Sequence, residues 1–154
     1  NIVVIFLGTN DNVNGYEPNK VEEAFIKMIE YISKNYIDFS NNTAKIPYIY
    51  LVTNAYANYS GYNYTEARRL EYNEVLKGIA KKYNNVRIFD LAAHITQSNY
   101  SQYLGDALHY NAEGMKLFSS KLIEQLRKDF NETKITLSKR QNAKIVYYKK
   151  DDKE

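Results

Sequence analysis

Short continuous apolar runs alternate along the chain with longer segments in which apolar residues recur every three or four positions. The apolar runs are rich in β-branched residues and predict buried strands at residues 2–7, 46–52 and 86–91. The periodic segments predict amphipathic helices at about residues 19–35 and 65–83, and a last helix after Asn111. Strands and helices therefore alternate, which predicts a parallel sheet with right-handed crossovers and an α/β fold.

The three predicted helices have recognisable first turns and apolar faces. Asn19, Thr65 and Asn111 are the expected N-caps. The apolar residues expected on the inner faces of the second and third helices are Leu70, Leu76, Ile79, Ala80, Tyr83, Met115, Phe118, Leu122 and Leu126. Arg68 and Arg69, in the first turn of the second helix, are expected to be solvated.

Polar residues follow the first two predicted strands at the point where each strand ends. Gly8-Thr9-Asn10-Asp11 comes directly after the first strand, and Thr53-Asn54 follows the second. The carboxyl ends of parallel strands meet at one edge of the sheet, where open α/β sheets bind their ligands. A loop with four tyrosines, which we expect to be exposed, continues this edge: Tyr56, Tyr59, Tyr62 and Tyr64.

The same edge supplies the candidate substrate-binding residues, which are Gly8, Thr9, Asn54 and Tyr56. An exposed tyrosine offers a flat apolar face and a hydroxyl, which suit a sugar ring or an acyl-bearing substrate. The chain has 16 tyrosines, so a loop dense in tyrosine is also expected from composition alone.

A carboxylate stands three residues before an imidazole in Asp106-Ala-Leu-His109, just before the last helix. Side chains three apart in a turn can reach each other, so Asp106 can hold one ring nitrogen while the other takes a proton. This is the orienting acid and general base of a nucleophilic triad. The chain has two histidines in all, and the other, His94, is predicted to be a packed or surface residue.

Two motifs together resemble the SGNH (GDSL-type) hydrolases, a family of esterases and acyl hydrolases. Gly8-x-Asn10-Asp11 after a strand is similar to the third conserved block of that family, and Asp106-x-x-His109 to the fifth. The resemblance covers about residues 2–130. It implies a three-layer α/β/α, flavodoxin-like parallel sheet and hydrolysis of a small ester or an acylated carbohydrate without a cofactor.

The resemblance also implies a role for each motif residue. Asn10 would offer its side-chain amide to the oxyanion hole, His109 would be the general base, and Asp106 would orient it. The family's first block, a Gly-Asp-Ser with the nucleophile, and its second block, with an oxyanion-hole glycine, do not occur in residues 1–154. The serines of the chain do not follow an apolar strand in a Gly-x-Ser setting.

These departures predict that residues 1–130 are the C-terminal two-thirds of such a hydrolase domain, without its first two strands. By the family's strand order, 2-1-3-4-5, the predicted strands are the third to the fifth. A preceding segment or a complementing chain would then supply the serine. The alternative is a catalytically incomplete relative that acts as a binding or interaction module. A flavodoxin-like phosphate binder is disfavoured because Gly8–Asp11 contains one glycine.

Composition narrows the remaining possibilities. The net charge of +3 is small and its signs are interspersed, which argues against a nucleic-acid partner. There is no cysteine, and two separated histidines are a poor ligand set, so no metal is predicted. No apolar run has the length of a membrane span. A secreted or cell-envelope location is slightly favoured over the cytoplasm, and residues 131–154 are expected to form a polar tail, either a hairpin or disordered.

Overall fold

A computed structural model of the chain describes residues 1–38, 43–44 and 46–131. Its central element is a parallel three-stranded sheet. In chain order the strands are β1 (Ile2–Ile5), β2 (Ile37–Asp38), β3 (Thr43–Ala44), β4 (Tyr48–Val52) and β5 (Val86–Phe89). The order in the main sheet is β1-β4-β5, while β2 and β3 form a separate antiparallel pair.

Five α-helices and one 3₁₀ turn connect and cover the strands in the part of the chain that the structure describes. The helices are α1 (Thr9–Val13), α2 (Pro18–Asn35), α3 (Glu66–Lys82), α4 (Tyr100–Tyr103) and α5 (Ala112–Asp129), and the 3₁₀ turn is Leu91–Ala93. None of these helices is both long enough and apolar enough to cross a membrane.

Each face of the sheet is covered by its own apolar cluster. On one face, residues of α2 and α3 pack on β1, β4 and β5, with Ile29, Ile49 and Ile79 fully buried. On the other, Leu122 and Leu126 of α5 pack with Phe89. The predicted three-layer α/β/α arrangement and the order of the three strands are confirmed.

The first strand was predicted to be buried along its whole length, but every second side chain of it is exposed. Ile2 and Val4 are each 39% exposed, whereas Ile5 is 5% exposed. Successive side chains of a strand point to opposite faces. Val3 and Ile5 contact the cluster formed with α2 and α3, while Ile2 and Val4 have no comparable cover from the described elements. In contrast, Ile49, Leu51 and Val52 of the central strand are fully buried.

Two of the three predicted N-caps are confirmed. The side chain of Thr65 accepts a hydrogen bond from the backbone N–H of Arg68, and that of Asn111 from the N–H of Gly114. The prediction of Asn19 is wrong, since α2 begins at Pro18 with Glu17 as its cap. Proline is favoured at a first helical position because the N–H it lacks would have no partner in the helix.

The buried faces of α3 and α5 are correctly predicted except at two positions, since Leu70 is 51% and Met115 50% exposed. Leu76 and Ile79 are buried as predicted, and Arg69, Tyr72 and Asn73 complete the buried face of α3. In α5 the buried positions are Gly114, Leu122 and Leu126, which places Met115 on the flank. The hairpin or disorder expected beyond residue 131 falls outside the described residues.

Candidate functional site

Asp106 and His109 form a hydrogen-bonded pair in the loop before α5. Asp106 Oδ2 lies 2.8 Å from His109 Nδ1, and Asp106 Oδ1 accepts hydrogen bonds from the backbone N–H groups of Leu108 and His109 at 2.7 and 2.6 Å. The two backbone hydrogen bonds, followed by that to the imidazole, lower the pKa of Asp106 to about 2. The carboxylate is therefore ionised at neutral pH and can accept a hydrogen bond from the N–H of Nδ1.

The loop that carries this pair is closed at its base by backbone hydrogen bonds. The N–H of Gly105 donates to the carbonyl of His109 at 2.8 Å, and that of Asn111 to the carbonyl of Tyr103 at 2.9 Å. Gly114, in the first turn of α5, packs so closely on Tyr103 that a Cβ there would overlap its carbonyl oxygen. His109 is thus held by a short closed loop, and its side chain is 79% exposed.

The turn after β1 is tight because Gly8 adopts a φ of +111°. A Cβ on Gly8 would lie 2.8 Å from the amide nitrogen of Asn54, so this turn fits over the Asn54 side chain only with glycine. α1 begins at the next residue, Thr9, whose hydroxyl donates to Asn54 Oδ1 at 3.0 Å. Asn10, the second residue of α1, is exposed. The apolar periodicity of the sequence did not predict this five-residue helix.

One groove joins the turn after β1 to the loop of the Asp106–His109 pair. Its volume is about 410 Å³. The residues that line it are Phe6, Leu7, Gly8, Thr9, Asn10, Asp11, Leu108, His109 and Tyr110. Burial raises the pKa of Tyr110 to about 12, so this wall of the groove is uncharged at neutral pH. The structure therefore brings Asn10 and His109 to one groove, with Asp106 behind the imidazole.

The other two candidate substrate-binding residues do not line this groove. Asn54 is 4% exposed and faces a separate cavity of about 10 Å³, roughly the space of one water molecule. The ring of Tyr56 packs against that of Tyr100, with 5.2 Å between centroids. Direct contact of Asn54 and Tyr56 with a substrate remains a prediction.

The exposure expected for the loop tyrosines is wrong for three of the four. Tyr62 is 89% exposed, whereas Tyr56, Tyr59 and Tyr64 are partly buried. The rings of Tyr59 and Tyr64 meet edge to face with 5.8 Å between centroids. Aromatic side chains pack on each other in this loop because they exclude water from one another's faces.

Arg69, expected to be solvated, is 6% exposed. It forms a bidentate pair with Glu66, at 2.6 and 2.7 Å, and also donates to the backbone carbonyl of Asn54. The spacing of Glu66 and Arg69 on a helix indicates an ion pair but not its burial. Burial follows from the loop of residues 53–65, which folds back against the first turns of α3.

The described serines lie away from the groove, and none of them is among its lining residues. Thr9 does line it, but its hydroxyl hydrogen is directed to Asn54 rather than to His109. His94 lies elsewhere, with its ring 6.0 Å from that of Phe89, beside a second groove along α5. Within residues 1–38, 43–44 and 46–131, no three His, Asp or Glu side chains cluster as metal ligands.

Comparisons with known proteins agree with the fold and the motifs. A family model described as the GDSL-like lipase/acylhydrolase family matches residues 1–117. The chain matches no curated protein sequence.

Three solved structures share the fold. A member of the lipolytic G-D-S-L family from Veillonella parvula is 21% identical with a TM-score of 0.59, over 80% of this chain and 61% of that one. An aryl esterase from M. smegmatis is 18% identical with a TM-score of 0.65, over 83% and 60%. A carbohydrate esterase of family 3 from Talaromyces cellulolyticus is 17% identical with a TM-score of 0.61, over 86% and 60%. The chain thus spans about 60% of the length of each structure.

Proposed function

Because the chain belongs to the GDSL-like lipase/acylhydrolase family, we propose that residues 1–130 are the C-terminal two-thirds of an SGNH-type serine esterase domain. The observation that carries this proposal is the ionised Asp106 bound to His109 Nδ1 at 2.8 Å, on a groove that Asn10 also lines. Orienting acid, general base and oxyanion donor are then three of the parts that acyl transfer to a hydroxyl requires.

Each of these residues has a distinct role in the proposed reaction. His109 takes the proton of a serine hydroxyl as the serine oxygen attacks the ester carbonyl, and then gives that proton to the leaving alcohol. Asn10 donates a hydrogen bond to the oxyanion of the tetrahedral intermediate. A water molecule, deprotonated by His109, next attacks the acyl-serine; the bond to the serine oxygen breaks, the acid is released, and His109 returns the proton to that oxygen. Asp106 stays ionised throughout, fixes the tautomer of His109 and stabilises the imidazolium.

We propose that the nucleophilic serine belongs to residues outside 1–154, in a longer form of this chain or in a complementing chain. Two observations support this. The sequence carries no Gly-Asp-Ser at a strand end, and the groove shared by Asn10 and His109 is lined by no described serine. His109, exposed on its groove side, has room for a hydroxyl from another segment.

The groove favours a small ester as the substrate. Its walls combine the apolar side chains of Phe6, Leu7 and Leu108 with the polar groups of Asn10 and His109. Deacetylation of a carbohydrate is the narrower version of this proposal. It is supported by the aromatic rings of Phe6 and Tyr110 in the groove wall and by the fold shared with a carbohydrate esterase.

The test is ester hydrolysis by the full-length protein that contains residues 1–154, with the two histidines compared. We expect p-nitrophenyl acetate to be hydrolysed, and His109→Ala to remove nearly all of this activity. His94→Ala is the matched control, because it deletes the other imidazole of these residues away from the groove. Equal activity of both variants would exclude His109 as the general base.

The competing proposal is a catalytically incomplete relative that binds a partner or ligand. It is favoured because no serine of residues 1–38, 43–44 and 46–131 lines the groove. Failure of the full-length protein to hydrolyse p-nitrophenyl acetate and acetylated sugars, combined with failure to react with a fluorophosphonate, would support this alternative against the esterase.

A further inference from the structure

Asn54 is buried two residues after the end of β4, and the side chain of Asn73 binds both its backbone N–H and its carbonyl. Its N–H donates to Asn73 Oδ1 at 2.8 Å, and its carbonyl accepts from Asn73 Nδ2 at 2.9 Å. Arg69 donates to the same carbonyl and is itself fixed by Glu66. Asn54 and Asn73 are 4% and 3% exposed, so the two hydrogen bonds between them are shielded from water. The backbone of Asn54 is consequently a rigid support.

The side chain of Asn54 links this support to the turn after β1. Its Oδ1 accepts the hydroxyl hydrogen of Thr9 at 3.0 Å, and its amide nitrogen lies beneath Gly8. Thr9 is joined to Asn10 by a peptide bond. The position of Asn10 is therefore fixed through one side-chain hydrogen bond and one tight turn.

A second contact of the same kind holds the rest of α1. The side-chain amide of Asn12 donates to the carbonyl of Thr65 at 3.0 Å and accepts from the N–H of Thr65 at 3.2 Å. Asn12 is 2% exposed. α1 has five residues and little stability of its own. It is thus held at its start by Asn54 and near its end by Thr65.

We propose that Asn54 is a positioning residue that acts through Thr9 to hold Asn10 where the oxyanion forms. This inference rests on the proposed esterase function. Asn10 is exposed, so its place depends on the backbone of α1 more than on packing of its own side chain. A donor contributes most to an oxyanion hole when it is already in place before the charge develops. Asn54 itself faces the cavity of about 10 Å³, which has no room for an acyl group.

Removal of the Thr9 hydroxyl tests the link. Thr9→Val keeps the shape of the side chain and deletes the donor to Asn54. We expect kcat of the full-length protein to fall about 10- to 100-fold with little change in KM, as for a displaced catalytic group. Thr9→Ser restores the hydroxyl and should recover most of kcat. Thr9→Ala tests the same contact if Thr9→Val lowers the yield of folded protein.

A double-mutant cycle with Asn10→Ala shows whether the effect passes through Asn10. If it does, Thr9→Val costs no further activity once the Asn10 amide has been removed. An equal loss in both backgrounds, or a rise in KM without a fall in kcat, would overturn the inference. Active-site titration with a fluorophosphonate ensures that kcat is counted per folded enzyme.

Failure of this inference can be distinguished from failure of the proposed function. If Asn10→Ala alone leaves kcat unchanged in a folded protein, the oxyanion role of Asn10 is wrong. If Asn10→Ala is strongly impaired and Thr9→Val is not, the oxyanion role stands and the positioning role of Asn54 is wrong.

Discussion

Asp106 Oδ2 lies 2.8 Å from His109 Nδ1, while the other oxygen of the same carboxylate accepts hydrogen bonds from the backbone N–H groups of Leu108 and His109. The turn therefore fixes the carboxylate, and the carboxylate fixes the imidazole. This geometry is local because it is formed by four consecutive residues of a loop, so it depends little on the sheet. It accounts for an orienting acid whose pKa lies well below its ordinary value although the side chain is 59% exposed.

Replacement of Asp106 by asparagine should abolish most of the proposed activity. The amide would donate to Nδ1 and would favour the tautomer with a hydrogen on Nε2, which cannot accept a proton from serine. In a serine-protease triad the same change lowers kcat by about 10⁴-fold. We expect a loss of that order in steady-state hydrolysis by the full-length protein.

Glu113→Gln is the matched control for Asp106→Asn. Glu113 is an exposed carboxylate in the first turn of α5, paired with Lys116 at 2.6 Å. Glu113→Gln likewise replaces a carboxylate by an amide, a few residues from the site. A similar loss in both variants would point to a general effect on α5 rather than on the tautomer of His109.

The pKa of Asp106 provides a prediction that needs no substrate. It is lowered from 3.8 to about 2, chiefly by the backbone hydrogen bonds. A carboxyl whose pKa is lower in the folded state favours that state above the unfolded pKa, about pH 4. The effect is lost as the pH falls to about 2.

Carbon-13 NMR of the Asp106 carboxyl should therefore show a midpoint near 2. In His109→Ala the two backbone N–H donors remain, so we expect the pKa of Asp106 to stay below its ordinary value. A return to the ordinary value in that variant would mean that the imidazole, and not the turn, controls the carboxylate.

Asn10→Ala should lower kcat by about 10²–10³-fold, the usual cost of one side-chain donor to an oxyanion. Asn14→Ala provides the comparison within the same segment, since Asn14 is an exposed asparagine at the C-terminal end of α1. Steady-state kinetics should show the loss in the first variant only. Equal kinetics for the two would remove Asn10 from the reaction.

Gly114→Ala should destabilise the protein by about 1–3 kcal/mol, the range typical of overpacking. A Cβ at this position meets the backbone carbonyl of Tyr103, which cannot move without opening the loop that holds His109. Gly78→Ala is the control in α3, because a Cβ there has no neighbour within 4 Å. The second change should stabilise the helix by about 0.5–1 kcal/mol. Urea unfolding measures both, and equal shifts would contradict the close contact at Gly114.

The sequence predicts the parts of the fold that are set by periodicity and local chemistry. The three strands of the main sheet, the helices α2, α3 and α5, and the caps Thr65 and Asn111 are visible in residue patterns alone. The Asp106–His109 contact is equally local, since both residues lie in one turn. Element ends are less well predicted: β1 ends at Ile5 and β4 begins at Tyr48, each two residues inside the predicted bounds.

Contacts between distant segments could not be predicted. The burial of Arg69 depends on the carbonyl of Asn54, 15 residues earlier in the chain. The hydrogen bond from Thr9 to Asn54 spans 45 residues, and that from Asn12 to Thr65 spans 53. Nothing in the local sequence marks an asparagine as the partner of a remote backbone. The sequence therefore named Thr9 and Asn54 only as candidate substrate-binding residues and gave no sign of the hydrogen bond between them, whereas the local Asp106–His109 contact was predicted.

The most direct test of the central claim is to find which serine reacts with a fluorophosphonate in the full-length protein. Peptide mass spectrometry of the labelled protein identifies the site, and labelling should disappear in His109→Ala and persist in His94→Ala. We predict a single labelled serine outside residues 1–154. A label on a serine within these residues, or labelling that is unaffected by the loss of His109, would contradict the account.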